Sequence, residues 1–211
     1  MDVTIVGGTG AEGFGLALRL AGAGHHVTIG SRSAERAAEA VTKATETLRA
    51  GASVGGAENA EAVQGAEVVV VTVPFAGMIG IYESIAQALR PGQVVLDATS
   101  PLMAAVGGKP WEAIRPWQGS AAELAASLVP EGVAVVGGFH TVAAHSLTAL
   151  DREIESDTLL CSDDDDAKRL VGELIDRVPG MRWVDAGPLE NARLTEPLTA
   201  LIISINRRYR V

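Results

Sequence analysis

Cysteine is nearly absent. Cys161 is the only one in 211 residues, so no intrachain disulfide can form, which fits a reducing compartment and makes the cytoplasm the expected location. Aromatic residues make up only 4% of the chain; a core must therefore be assembled from Ala, Val, Leu and Ile. Positive charge is in deficit: 17 Lys and Arg stand against 26 Asp and Glu, a net charge of -9. Such a surface repels phosphate backbones and anionic bilayers, so neither nucleic acid nor a membrane is an expected partner. No apolar run approaches the roughly 18 residues that span a bilayer. Met1 leads straight into the strand-like "VTIV" without the cationic start of a signal peptide.

What the chain has in quantity is glycine, 24 residues, with several gathered near the start. "DVTIVGGTG" reads as a buried strand ending in a glycine turn, "FGLALRLAGAG" as a helix stopping at Gly24, and "HVTIGSR" as a second strand. An amphipathic helix is expected over 34–50, a short strand at "ASVGG" and a short helix at "NAEAVQG". "AEVVVVTVP" is a buried strand of near-continuous valine ended by Pro74, and helix–strand pairs follow through "VAVVGGFHT". Strands alternating with helices at this spacing imply α/β architecture, a Rossmann-like doubly wound parallel sheet.

After Leu150 the pattern changes. "TLLCS", a helix after Ser162 and "RWVDAGPL" make a small α/β C-terminal extension, closed by a mostly helical segment despite Pro197. The expected division is a nucleotide-binding domain over 1–150 and a small domain over 151–211. Ser162 is the expected cap of the "DDDD" helix, with the acids complementing its dipole.

Gly8, Gly10 and Gly13 fit G-x-G-x-x-G between a strand and a helix. That context calls for a tight turn, close approach of backbone to a pyrophosphate, and a helix N-terminus aimed at it. The second strand then ends "GSRSAER", where many dinucleotide-binding chains carry an acid that holds two ribose hydroxyls. Here stand Ser31, Arg32 and Arg36, suited to the 2′-phosphate of NADP through charge-assisted hydrogen bonds of about 1.5–3 kcal/mol each.

The four histidines are His25, His26, His140 and His145. Their spacing lacks companions for a metal, so no metal site is expected. His140 and Thr141 follow a buried strand and would lie near a nicotinamide ring; His140 is open as a general acid, a hydrogen-bond anchor or a core histidine. The segment 102–120, with Trp111 and Trp117, is long for an idle loop, and either tryptophan would border a second ring or pack the loop onto the sheet. "NRRYRV" offers a basic cluster, with Arg207 and Arg210 on one helical face.

The segments "VTIVGGTGAEGFGLALRLAGAGHHVTIGSR", "VVVVTVP", "FHTVAA" and "DAGPLENARLTEPLTALI", in this order, resemble the NADPH:F420 oxidoreductases, the F420-dependent NADP reductases. The resemblance spans nearly the whole chain. It implies reversible hydride transfer between C4 of the nicotinamide of NADP(H) and C5 of the deazaflavin coenzyme F420. Besides Gly8 of the glycine turn, it further implies NADP contacts at Thr9, Gly10, Ala11, Glu12, Ser31, Arg32 and Arg36, a turn beneath the nicotinamide at Val73 and Pro74, and a meeting place of the two rings at Val142 and Ala144. Arg207 and Arg210 then become candidates for the anionic tail of F420, and a homodimer is expected. Two other readings stay open from the residues: an NADPH-dependent reductase of a ketone, imine or ferric chelate, with His140 as proton donor, and a non-catalytic NADPH-binding redox sensor.

Overall fold

The computed structural model describes residues 1–210. Eight strands and nine α-helices alternate along it until the last two helices, which follow each other directly. The first half runs β1 (Asp2–Val6), α1 (Ala11–Gly22), β2 (His26–Ser31), α2 (Ala34–Thr47), β3 (Ser53–Glu58), α3 (Asn59–Ala62), β4 (Val68–Val71), α4 (Met78–Ile85) and β5 (Val94–Asp97). The second half runs α5 (Ala121–Leu128), β6 (Ala134–Gly137), α6 (Ala144–Thr148), β7 (Ser156–Leu160), α7 (Asp165–Asp176), β8 (Met181–Asp185), α8 (Ala192–Thr195) and α9 (Leu198–Tyr209).

Six strands form one parallel sheet in the order β3-β2-β1-β4-β5-β6. This is the Rossmann-like doubly wound arrangement that the alternation of strands and helices implies. The chain winds outward in one direction from β1 and then in the other from β4, so the crevice for a ligand lies between the carboxyl ends of β1 and β4. The central strands are buried on both faces, which is why β4 reads as unbroken valine: Val68, Val69, Val70 and Val71 are all at most 1% exposed. The odd and even valines feed two separate cores, one on each face.

β7 and β8 pair parallel to each other in a two-stranded sheet. A single antiparallel bridge between Gly137 and Cys161 joins it to the edge of the large sheet. Leu160, Val171, Leu174 and Ile175 of this region sit in the same core as Val3, Ile5 and Leu16. Pro197 ends the short α8 and starts α9, where its missing N–H costs nothing.

One helix start differs from the sequence expectation. Asp164, not Ser162, caps α7, accepting from the Ala167 N–H at 2.9 Å. Ser162 is buried, and its hydroxyl donates instead to the carbonyl of Val135 at 2.7 Å. A buried hydroxyl beside a strand end satisfies that carbonyl first, and the run of acids supplies another cap.

Candidate functional site

The glycine turn is built to bring backbone close to a ligand. Gly7 has φ +80, the left-handed region, and a Cβ there would stand 2.8 Å from Val73 Cγ1. Gly8 is locked by hydrogen bonds from its N–H to the carbonyls of Ile5 and Gly30, both 3.1 Å; a Cβ on it would meet the Ile5 carbonyl at 2.8 Å. The turn delivers the chain into α1, which starts at Gly10 without any side-chain cap. Ser33 caps α2, Ser120 caps α5 and Asp164 caps α7, whereas α1, like α4 and α9, has no such cap. The first-turn N–H groups of α1 are therefore open to an anion at the positive end of the helix dipole.

A cleft of about 530 Å³ opens at this point. Of the residues singled out in the sequence, Thr9, Gly10, Ser31, Arg32, Arg36, Val73 and Pro74 all line it. Ser31 is buried, whereas Arg32 and Arg36 are exposed. Neither guanidinium pairs with a carboxylate or donates a hydrogen bond among the described residues, so both charges are available to an anion.

The cleft also takes in residues that sequence reasoning passed over. Asn59 enters from the start of α3, Thr72 from the end of β4, and Gly77, Gly80, Ile81 and Ser84 from the wall formed by α4 and the turn before it. The absence of side chains at Gly77 and Gly80 leaves that wall open, since nothing stands within 4 Å of a Cβ built on either. The i, i+3 spacing of those glycines was the readable signal.

Gly8 lies beneath the turn, buried. Ala11 borders an adjoining cavity of about 310 Å³ together with Arg36 and Lys43. Glu12 lies in the first turn of α1, where burial, with the nearby Asp97 carboxylate adding to it, pushes its pKa up to about 7. Asp97 itself is fully enclosed at the end of β5 and is pushed up to about 6 by burial, against the hydrogen bonds of Tyr82 and Thr99.

The strand ends beyond the cleft are tied together by hydroxyls. Thr99 Oγ1 donates to the carbonyl of Val73 at 3.5 Å, at the limit of a hydrogen bond, and to Asp97 Oδ2 at 3.2 Å. Thr199, one residue into α9, donates to the carbonyl of His140 at 2.5 Å and lies 3.0 Å from Ser100 Oγ. Glu196 accepts from the N–H groups of Ala121 and Ala122 at 2.9 and 3.0 Å, anchoring the C-terminal helices to the start of α5. Burial pushes Glu196 up to about 8 while those two N–H groups pull it down.

His140 is enclosed here, with Nε2 lacking any partner, and burial pushes its pKa down to about 4. It is a neutral imidazole at physiological pH. The residue before it, Phe139, carries φ 65, one of two non-glycine residues with positive φ among those described. Its N–H donates to Thr158 Oγ1 at 2.8 Å, which holds this unfavourable backbone in place. Thr141 and Val142 border a different cavity, of about 560 Å³, that also takes in His145 and Arg152; Val142 is buried in the main core and Ala144 begins α6.

Arg207 stacks over Trp111 with its Cζ 4.0 Å from the ring centroid, and Lys109 lies on the same ring at 5.6 Å. Trp117 packs against nothing and is 98% exposed. α9 ends at Tyr209 and Arg210 follows it in the left-handed conformation, so Arg210 does not continue the helical face of Arg207 that the i, i+3 spacing implies. No helix among the described residues is long and apolar enough to cross a membrane.

An uncapped helix behind a glycine turn, facing two unpaired guanidiniums at the end of β2, suits a phosphorylated dinucleotide, and the comparisons with known proteins agree. The family described as "NADP oxidoreductase coenzyme F420-dependent" matches residues 2–101. The F420-dependent NADP reductase of Methanothermobacter marburgensis is 42% identical across 100% of this chain and 95% of its own length. That of Methanocaldococcus jannaschii is 37% identical across 100% of this chain and 94% of its own. A crystal structure of a putative F420-dependent NADP reductase from Arthrobacter sp. FB24 superimposes with a TM-score of 0.82 at 23% identity, covering 100% of this chain and 95% of that one, which establishes the common fold. Identity at this level along the entire chain, the glycine turn and the C-terminal helices included, means that the chain belongs to the F420-dependent NADP reductase family.

Proposed function

We propose that the chain transfers a hydride reversibly between NADP(H) and coenzyme F420, directly from C4 of the nicotinamide to C5 of the deazaflavin. It would act in the cytoplasm as a homodimer, on these two small molecules and without nucleic acid. The observation that carries the reading is the cleft at the sheet's switch point, in which Ser31, Arg32 and Arg36 stand with no acid to neutralise them. A 2′-phosphate supplies the missing negative charge. The open N-terminus of α1 takes the pyrophosphate, and the nicotinamide half extends along Val73 and Pro74 toward the strand ends tied by Thr99, Ser100 and Thr199.

Both reactants bring their own redox chemistry: NADPH, F420 and a proton give NADP⁺ and reduced F420. The protein's share is to bind both, align the two carbons and keep water from between them. His140 suits an anchoring role better than that of a general acid, because with its pKa held down to about 4 it lacks the imidazolium proton near neutrality. Support for a homodimer comes from α9, on which Leu201, Ile205 and Tyr209 are 55%, 45% and 69% exposed along one side, with Leu194 of α8 at 68% nearby.

The test is a spectroscopic assay in both directions, reduced F420 with NADP⁺ and F420 with NADPH, and the same pair with NAD(H). The reading requires turnover with NADP(H) and turnover lower by at least about two decades in kcat/KM with NAD(H), the worth of two charge-assisted hydrogen bonds. Turnover of NADPH with a ketone, imine or ferric chelate but not with F420 would overturn it.

A further inference from the structure

Asn59 is the first residue of α3, and the pairing of Ser31 with Glu58 sets it beside the end of β2. It is only 5% exposed, yet it lines the same cleft as Ser31, Arg32 and Arg36. Its side-chain amide makes no hydrogen bond with the described residues, and Oδ1 is shut away from solvent without a donor. The NH₂ group of the same amide is not enclosed with Oδ1 and has no acceptor among the described residues, so at the wall of the cleft it is the part free to donate to a ligand atom. Gly30 provides the room: a Cβ there would stand 2.8 Å from Asn59 Oδ1 and 3.1 Å from the Ile5 carbonyl. The penultimate residue of β2 thus has no side chain where this amide needs space.

Resting on the NADP reading of the cleft, we propose that Asn59 is a specificity-determining residue, whose uncharged amide faces the 2′ side of the adenosine ribose. Pockets that hold a bare ribose place a carboxylate at the carboxyl end of the sheet, where it accepts from the hydroxyls. Asn59 has the shape of aspartate without the charge. Its NH₂ group donates to a phosphate oxygen, and its neutrality leaves Arg32 and Arg36 free. A carboxylate in its place would pair with those guanidiniums, repel a phosphate and accept from ribose hydroxyls instead.

The experiment is calorimetric binding of adenosine 2′,5′-bisphosphate and of 5′-AMP, which differ only in the 2′-phosphate, to the full chain and to Asn59→Asp and Asn59→Ala. Asn59→Asp should weaken the bisphosphate by about 30-fold or more and leave 5′-AMP as tight or tighter, since a like charge replaces a donor. Asn59→Ala should weaken the bisphosphate by about 10-fold or more, the worth of one hydrogen bond to a charged acceptor, with 5′-AMP little changed. Equal losses for both ligands would mark a structural role and overturn the proposal, as would a 2′-phosphate preference unchanged in Asn59→Asp. If Asn59→Asp does not fold, the same selective loss in Asn59→Ala decides: present, it supports the proposal; absent or equal for both ligands, it overturns it. A wild-type chain with no preference for the bisphosphate would overturn the NADP reading itself, an outcome distinct from failure of Asn59 alone.

Discussion

The guanidinium of Arg207 lies over the ring of Trp111, 4.0 Å from its centroid, so the last turn of α9 and the segment between β5 and α5 hold each other. A half-exposed cation–π contact contributes about 0.5–1 kcal/mol. Arg207→Ala should therefore lower the melting temperature by about 1–4 °C for a chain of this size and shift the tryptophan emission, with Arg207→Lys intermediate. If Arg207 and Arg210 also hold the anionic tail of F420, the double alanine variant raises KM for F420 while sparing a tail-free deazaflavin. Equal losses for both deazaflavins would leave Arg207 only its contact with Trp111.

Arg32→Ala and Arg36→Ala should each raise KM for NADPH by about 10- to 100-fold with kcat nearly unchanged. The 2′-phosphate is remote from the reacting carbon, so its loss is one of uniform binding. Steady-state kinetics at fixed ionic strength measure this, because both side chains are exposed and salt screens them. NADPH affinity unchanged in both variants would remove the phosphate from this end of the cleft.

The part of the cleft readable in the sequence is the part whose demands are local. A phosphate turn needs glycines at set offsets, and the residues after β2 declare their charge in a stretch of seven. Asn59 escaped because it reaches the cleft only through the register of β3 against β2. The hydroxyl of Thr199 reaches the His140 carbonyl from 59 positions along the chain, a distance no periodicity encodes. The positive φ of Phe139 is likewise set by Thr158 across the β6–β7 junction, not by the residue itself. The order of strands and helices was legible except for α6 (Ala144–Thr148), whose five residues are too few to show a helical spacing; the buried valine runs and longer helices are themselves local patterns. The cap of α7 was not, because Ser162 and four acids compete for it and burial decides among them.

Glu12 should make cofactor binding pH-dependent. Burial, then Asp97, raises its pKa to about 7 from 4.5, so whatever stability it contributes is full below its unfolded value and is lost as pH rises through about 7. Above that, a carboxylate stands in the first turn of α1, the helix proposed to receive the pyrophosphate. The KM for NADPH should rise severalfold between about pH 6 and about pH 8, and Glu12→Gln should abolish that rise. A pH dependence identical in the two proteins would exclude Glu12 as its source.

His140 acts with the opposite sign. Its folded pKa is pushed down to about 4 from 6.5 by burial. The native state thus binds fewer protons than the unfolded chain, and stability is lost as pH falls from about 6.5 toward 4. His140→Gln should gain on the wild type across this window, by up to about 3 kcal/mol at its lower end, as read from denaturant melts at several pH values. The pH profile of kcat above about 6 should be the same in both proteins, as a neutral anchor requires. A profile whose alkaline limb disappears in His140→Gln would instead make His140 a proton donor.

The central claim, direct passage of a hydride from one ring to the other, is tested most directly by isotope. NADPH carrying deuterium at the transferred C4 position is mixed with F420 and the protein in ordinary water, and the reduced F420 is analysed by mass spectrometry. The account predicts one deuterium at C5 in every molecule formed, from one face of the nicotinamide only. Reduced F420 without deuterium, its hydrogen drawn from solvent, would contradict it.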